Sequence, residues 1–449
     1  MNAIAASVLA EFRDLLRGRN RGTVPHPGTG TADLWLAATF VTVALLLYGP
    51  LAVRLAQGAF LDYWNLGFDF DPARMVQTLA MADPDPYGFK HPLVLLWRPL
   101  AWPFLAIGLT AKEAAAMVMA LLGAGTVGMT YLLFRTSAIG RAEATALTVL
   151  FMVTGSQIFT SLIVDTYGPA SFTIAFVWLV AACRLADPAR FRRLRYLAAL
   201  MALGNTITNV VQPAIAEVIV RWREGGLWAA LRRSIAFGFI LALLAGLVMV
   251  IVWHDDLWIA AQDPILALKH IYWLRTKGER TGIGQVLLTF FGFSFVSPDY
   301  SWITLPEGTN MRDFRDYAFH STGAVAMPFW LAFWAVGTIA AFVHRQYRWL
   351  AAGVAGVLVF NVLLHIDYQF RGSLYIYCAH AHLPAFILGA GLAPWVAGTR
   401  LPRGIYVAVV LLLAVLVGID NLSTAWGFVT DFDTVNIPNC PPPCTGVPQ

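Results

Sequence analysis

Eleven apolar runs, alternately interrupted by arginine-bearing and arginine-poor turns, constrain this chain more than any other feature. They lie near 34–56, 112–134, 142–163, 167–185, 196–212, 213–222, 234–253, 325–343, 349–365, 374–397 and 404–420. A backbone in hydrocarbon has no water to bond, so such runs read as helices crossing a bilayer. Composition agrees, because 58% hydrophobic and 13% charged residues leave too little polar surface to cover a water-exposed globule. The expected fold class is an all-α polytopic membrane protein, a single bundle of about 11 transmembrane helices.

The charges set an expected orientation. Arg13, Arg17, Arg19 and Arg21 precede the first run, which is too long for a signal-peptide core, so the chain is expected to start in the cytoplasm. A further stretch, 92–109, is apolar but broken by Arg98, Pro99 and Pro103. An arginine at the bilayer centre is costly and prolines remove backbone donors, so this stretch is assigned to the interface. With it excluded, Arg135/Arg141, Arg184/Arg190/Arg192/Arg193/Arg195, Arg221/Arg223/Arg232/Arg233, Arg345/Arg348 and Arg400/Arg403 all fall inside. Counted as a span, it would place them all outside, against the positive-inside rule. The expected organisation is a cytoplasmic segment 1–33, a membrane domain 34–420 with external loops about 57–111 and 254–324, and an external tail 421–449. Run 213–222 is too short to cross unless it continues beneath Arg221 or is a half-helix opened by Pro213. The net charge of +5 comes from arginines scattered among short loops, which read as topological anchors and not as a nucleic-acid stripe.

The polar residues then gather on the other face: Asp69 and Asp71, His91, Asp165, the turn from Asn205 to Gln212, His254-Asp255-Asp256 and His365-Ile366-Asp367. An outward-facing site follows. A carboxylate beside an apolar surface is a candidate general base, because partial desolvation raises its pKa toward working pH. Asp71 or Asp69 could deprotonate an acceptor hydroxyl in this way. Asp71 before Pro72 is also the signature of a helix cap, and in isolation that reading is favoured.

The company these residues keep changes the balance. A long loop with Asp69 and Asp71 soon after the first run, Lys90-His91-Pro92-Leu93 leading an interfacial helix, and Asp165 after the third run resemble the GT-C glycosyltransferases. In the protein-mannosyltransferase and aminoarabinose-transferase branches the corresponding motif is Lys-Pro-Pro-Leu or His-Pro-Pro-Leu; one of its two prolines is absent here. The resemblance covers residues 33–254. It implies a polyprenyl-phosphate sugar donor, an external glycan, lipid or protein acceptor, a multi-pass place in a bacterial inner membrane, and a catalytic base at Asp71 or Asp69. A second acidic residue is implied at Asp165, beside Tyr167.

Such a transfer needs cations or donors where charge develops on the leaving phosphate. Arg371 is the first candidate, because guanidinium pairs bidentately with phosphate; Lys90, His91, Arg98, His380 and His382 are the others. Arg371 paired with Asp367 and a span histidine satisfying a polar neighbour are the local alternatives. His380 and His382 point to different helix faces and form no ready metal pair. Asn205, Asn209, Gln212 and Tyr375 complete the candidate substrate pocket, although amides in a bundle also stitch helices together. No cofactor is expected, and a divalent ion at His254-Asp255-Asp256 is the less favoured reading. Cys440 and Cys444 form a candidate disulfide in the tail, while Cys183 and Cys378 are packing residues. The competing functions are a lipid-linked glycan flippase or polymerase, a secondary transporter using Glu217, and a membrane acyltransferase.

Overall fold

The computed structural model describes residues 30–62, 67–68, 70–82, 91, 93–252, 282–304, 310–314, 318–367, 373–397 and 400–432, with 7, 8, 10, 11 and 14 before them. Each of the eleven apolar runs is built mainly from helix. α1 (Thr31–Gln57) is followed by the first long loop, which holds α2 (Pro72–Ala80), a 3-10 segment (Val94–Leu100) and α3 (Trp102–Ala106). Then come α4 (Ala111–Thr136), α5 (Arg141–Met152), α6 (Gly155–Leu162), α7 (Tyr167–Ala186), α8 (Leu194–Asn205), α9 (Val211–Gly225) and α10 (Leu227–Val252). After the second loop's described part, α11 (Ile283–Leu288) and the hairpin β1 (Ser301–Thr304) and β2 (Asn310–Asp313), the bundle closes with α12 (Ser321–Val343), α13 (Arg348–Asp367), α14 (Cys378–Gly389) and α15 (Arg400–Asp431). α15 continues beyond residue 420, where the tail was expected to begin.

Among the described residues, eight helices are long and apolar enough to cross a membrane, or nine if the bent pair α5 and α6 is one span. Eleven therefore counts apolar runs and not helices of crossing length. The difference lies at α8 and α9, which have 12 and 15 residues. At 1.5 Å per residue they reach roughly 18 and 22 Å, short of about 30 Å of hydrocarbon. They form a hairpin, since Arg195 near the start of α8 pairs with Glu217 midway along α9. A hairpin returns to its own side at any depth, so the alternation of the later helices is unaffected.

The bend between α5 and α6 is 58°. It frees backbone groups that lipid cannot satisfy, and neighbouring segments supply the partners. Asn421 Nδ2 donates to the Val153 carbonyl (2.8 Å) and the Phe295 carbonyl (2.7 Å), while its Oδ1 accepts from the Ser297 amide (2.8 Å). The Gly155 and Ser156 amides donate to Phe295 and Ser294 carbonyls. One amide side chain thus ties the bend, the segment after α11 and α15 together. Asn421→Leu would leave the Val153 carbonyl and the Ser297 amide unpaired, at about 1–3 kcal/mol each, while the Phe295 carbonyl keeps the Gly155 amide. We expect a loss of at least about 2 kcal/mol, read as a lower melting temperature of the detergent-solubilised protein.

Close approach elsewhere uses glycine. A Cβ at Gly337 of α12 would lie 1.9 Å from the Gly389 carbonyl oxygen, so the two backbones touch directly. In the first long loop, Leu96, Trp102 and Ile107 are exposed, as an interfacial segment requires. That loop is also tied to the hairpin: Gly67 bridges Arg312, and the Phe68 amide donates to the Arg312 carbonyl at 2.8 Å. Arg312 in turn pairs with Asp431 at the end of α15 (2.8 Å).

Candidate active site

The two ends of the bundle handle charge differently. At one end each buried acid is paired with arginine. Asp33 meets Arg135 (3.0 Å) and Arg141 (2.9 Å), Glu143 meets Arg403 (3.0 Å), and Glu217 meets Arg184, Arg195 and Arg221. Glu217, the acid on which a transporter would draw, is held in this arginine cluster and not free at mid-depth. The opposite end carries Asp71, Asp165 and Asp313, all buried.

Asp71 opens α2 with Pro72 at the first helical position, and its carbonyl accepts from the Met75 amide. Its side chain makes no capping hydrogen bond. The helix is therefore started by proline's fixed φ and by the Asp71 backbone, and the carboxylate is not used as a cap. The Asp71 amide donates to Asp165 Oδ2 at 2.8 Å. Asp165 Oδ1 accepts from the Thr166 amide (2.5 Å) and hydroxyl (3.0 Å). Asp165 thus locks the turn before α7 to the start of α2 and brings together two acids that are far apart in sequence.

Beneath this pair lies an aromatic floor. Phe68 has φ 51°, a left-handed backbone that costs a β-carbon-bearing residue about 1 kcal/mol or more. Its ring packs against Phe159, Phe314, Phe428 and Tyr375, which holds the conformation in place. Phe70 meets Tyr167 edge-on (5.7 Å), and Tyr167 faces His380 (5.5 Å) and Tyr377 (6.1 Å). His365 lies 4.2 Å from Tyr377, extending this wall.

The expected site residues separate into groups. Asp71 is bonded to Asp165, and Phe70, the residue before Asp71, meets Tyr167, which faces His380. Asn205 belongs to the α8–α9 turn. Its carbonyl bonds to His91 Nδ1, its Oδ1 accepts from Trp97 Nε1 (2.7 Å), and the Gly204 carbonyl accepts from the Leu93 amide (2.8 Å). This turn therefore docks the His91 segment onto the bundle. Gln212 accepts from Trp178 Nε1 (2.7 Å) and donates to the His380 carbonyl (2.8 Å), fixing α14 beside Tyr167. Asn209 is buried with its Nδ2 unpaired, and His380 Nδ1 is also buried without a hydrogen-bond partner. Tyr375 is placed in the aromatic floor, its hydroxyl beside Ser297 above Gly155.

Arg98 donates to the Met81 carbonyl at 2.7 Å, tying the interfacial segment to the end of α2. His382 lies apart, hydrogen-bonded to Thr154 (2.9 Å) and packed against Phe151 and Phe295. Asp69, Lys90, Arg371, Cys440 and Cys444 lie outside the described residues. Cys183 and Cys378 are buried free thiols. Among the described residues no group of three or more His, Cys, Asp and Glu side chains is placed to hold a metal ion.

Two site residues were not anticipated from the sequence. Asp313 Oδ1 accepts from Ser373 Oγ (2.7 Å) and the Phe314 amide (2.9 Å), holding the chain just after Arg371 against the hairpin. Tyr377, two positions beyond Tyr375, faces the Tyr167 wall; only its nearness to Tyr375 could have marked it.

No family model matches the sequence, and no curated protein matches it. The structure is similar to the crystal structure of ArnT from Cupriavidus metallidurans bound to undecaprenyl phosphate. The match has a TM-score of 0.50 and 14% identity, over 88% of this chain and 76% of the other. The fold is GT-C. At this identity the likeness carries the architecture, in which the first long loop and the start of α7 meet at one end of the bundle.

Proposed function

We propose that this GT-C protein is an integral-membrane glycosyltransferase that moves a sugar from a polyprenyl phosphate to a hydroxyl on an external glycan, lipid or protein. Asp71, with Asp69 beside it, is the base. The acceptor oxygen bonds to the anomeric carbon, the bond from that carbon to the phosphate oxygen breaks, Asp71 takes the hydroxyl proton, and polyprenyl phosphate leaves. Attack opposite the leaving group inverts the anomeric centre. Asp165 positions the base through the Asp71 amide, and the Tyr167, Tyr377 and His380 wall receives the sugar. Arg371, Lys90, His91 and Arg98 are the donors that steady the leaving phosphate. The polyprenyl-phosphate donor class rests on the undecaprenyl phosphate bound by ArnT. The arginine-paired end faces the cytoplasm by the positive-inside rule, which puts the N-terminus inside and the site outside.

What carries this reading is Asp71: its backbone is locked by Asp165, yet its carboxylate is not used as the helix cap. The test is the chemistry of the product. Purified protein given a polyprenyl-phosphate sugar and an acceptor should release polyprenyl phosphate and form a glycoside of inverted configuration, read from its anomeric proton coupling. A retained configuration, or an unchanged donor with every acceptor class, would overturn the proposal.

A further inference from the structure

At the arginine end, α7, α8, α9 and α10 line a small open cleft. Its polar lining is Arg184, Arg195 and Glu217; Val177, Ala181 and Phe237 are among its apolar walls. Glu217 has two carboxylate oxygens and receives three guanidinium groups, from Arg184, Arg195 and Arg221. The acid is saturated while the arginines are not. Arg184, itself 2% exposed, keeps Nε and Nη2 without a hydrogen-bond partner, and Arg195 keeps its Nε unpaired between the rings of Tyr196 and Phe237.

Buried, unpaired guanidinium donors in positive excess call for an oxygen-rich anion. The surroundings narrow its source. α10 exposes Ile235, Phe239 and Leu243 along the same helix that supplies Phe237, and Trp228 stands exposed near its start. A hydrocarbon bed beside a basic recess, with an indole at headgroup depth, suits a lipid and not a hydrated ion. We propose that this cleft holds the phosphate of an anionic phospholipid, with its acyl chains along α10, as a binding site separate from the transfer site. The proposal does not depend on the assigned catalytic function.

The test follows the thermal unfolding of the full-length protein in neutral detergent with phosphatidylglycerol, phosphatidylcholine or inorganic phosphate added. Phosphatidylglycerol should raise the melting temperature saturably by about 3 °C or more, and the other two should not. Arg195→Gln should weaken the half-saturating response about fivefold. Arg184→Met with Glu217→Met, which removes the most deeply buried arginine together with the carboxylate and leaves only the more accessible Arg195 and Arg221, should abolish it. Arg345→Gln, an exposed arginine outside the cleft, should respond as wild type. Equal responses to both phospholipids, a full response to inorganic phosphate, no response to any probe, or an unaltered response in both cleft variants would each overturn the proposal. If the double variant fails to fold, Arg195→Gln decides.

Discussion

Asp71→Asn is expected to lower sugar transfer by about 10²–10⁴-fold, the usual effect of removing a positioned general base. The loss should fall on kcat with KM little changed, because the proton is taken in the transition state and not on donor binding. The fold should survive. Asparagine has nearly the same shape, the residue-71 amide still donates to Asp165, and its carbonyl still opens α2. The side chain makes no capping bond that the substitution would break. Steady-state kinetics alongside a melting curve check both halves: an inactive variant that melts within a few degrees of wild type identifies a chemical role, whereas equal losses of folding and activity would return Asp71 to a structural one.

Glu217→Leu should have the largest effect on stability, about 3–5 kcal/mol. The substitution leaves Arg184 buried with no counter-charge and takes from Arg195 and Arg221 the carboxylate they share. For a chain of this size the shift should be roughly 3–5 °C in detergent. Arg184→Met combined with Glu217→Met should recover part of it, because the most deeply buried arginine no longer lacks a counter-charge while Arg195 and Arg221 still lose theirs. Thermal unfolding of the two variants makes the comparison. A single variant as stable as wild type would mean that the cluster is solvated and contributes little.

The helices were legible in the sequence because their signal is local: apolar runs, Arg-bearing ends and Pro-broken 92–109 each report on neighbouring residues only. The meeting of Asp71 with Asp165 was legible as a site but not as a bond, since a contact across so many residues leaves no trace in spacing. The lengths of α8 and α9 were blurred, because a polar turn from Asn205 to Gln212 separates two apolar runs without stating how deep they reach. Asn421 follows the last apolar run, where a polar residue reads as the start of a tail, so nothing local marks it as a helix residue, although α15 continues to Asp431. Asp313 lies in a long loop with no periodicity, and only the hairpin pairing brings it to Ser373. His380 and His382 were expected on different faces, and they are: one faces Tyr167 and the other fills an aromatic slot beside Thr154.

The decisive measurement gives the purified protein a panel of labelled polyprenyl-phosphate sugars and follows donor consumption, with Asp71→Asn and Asp69→Asn run beside it. One donor should be turned over, and turnover should be lost in an aspartate variant that stays folded. No turnover or binding across the panel would contradict the proposed transfer, and so would turnover that survives both substitutions, which would move the chemistry away from the first loop.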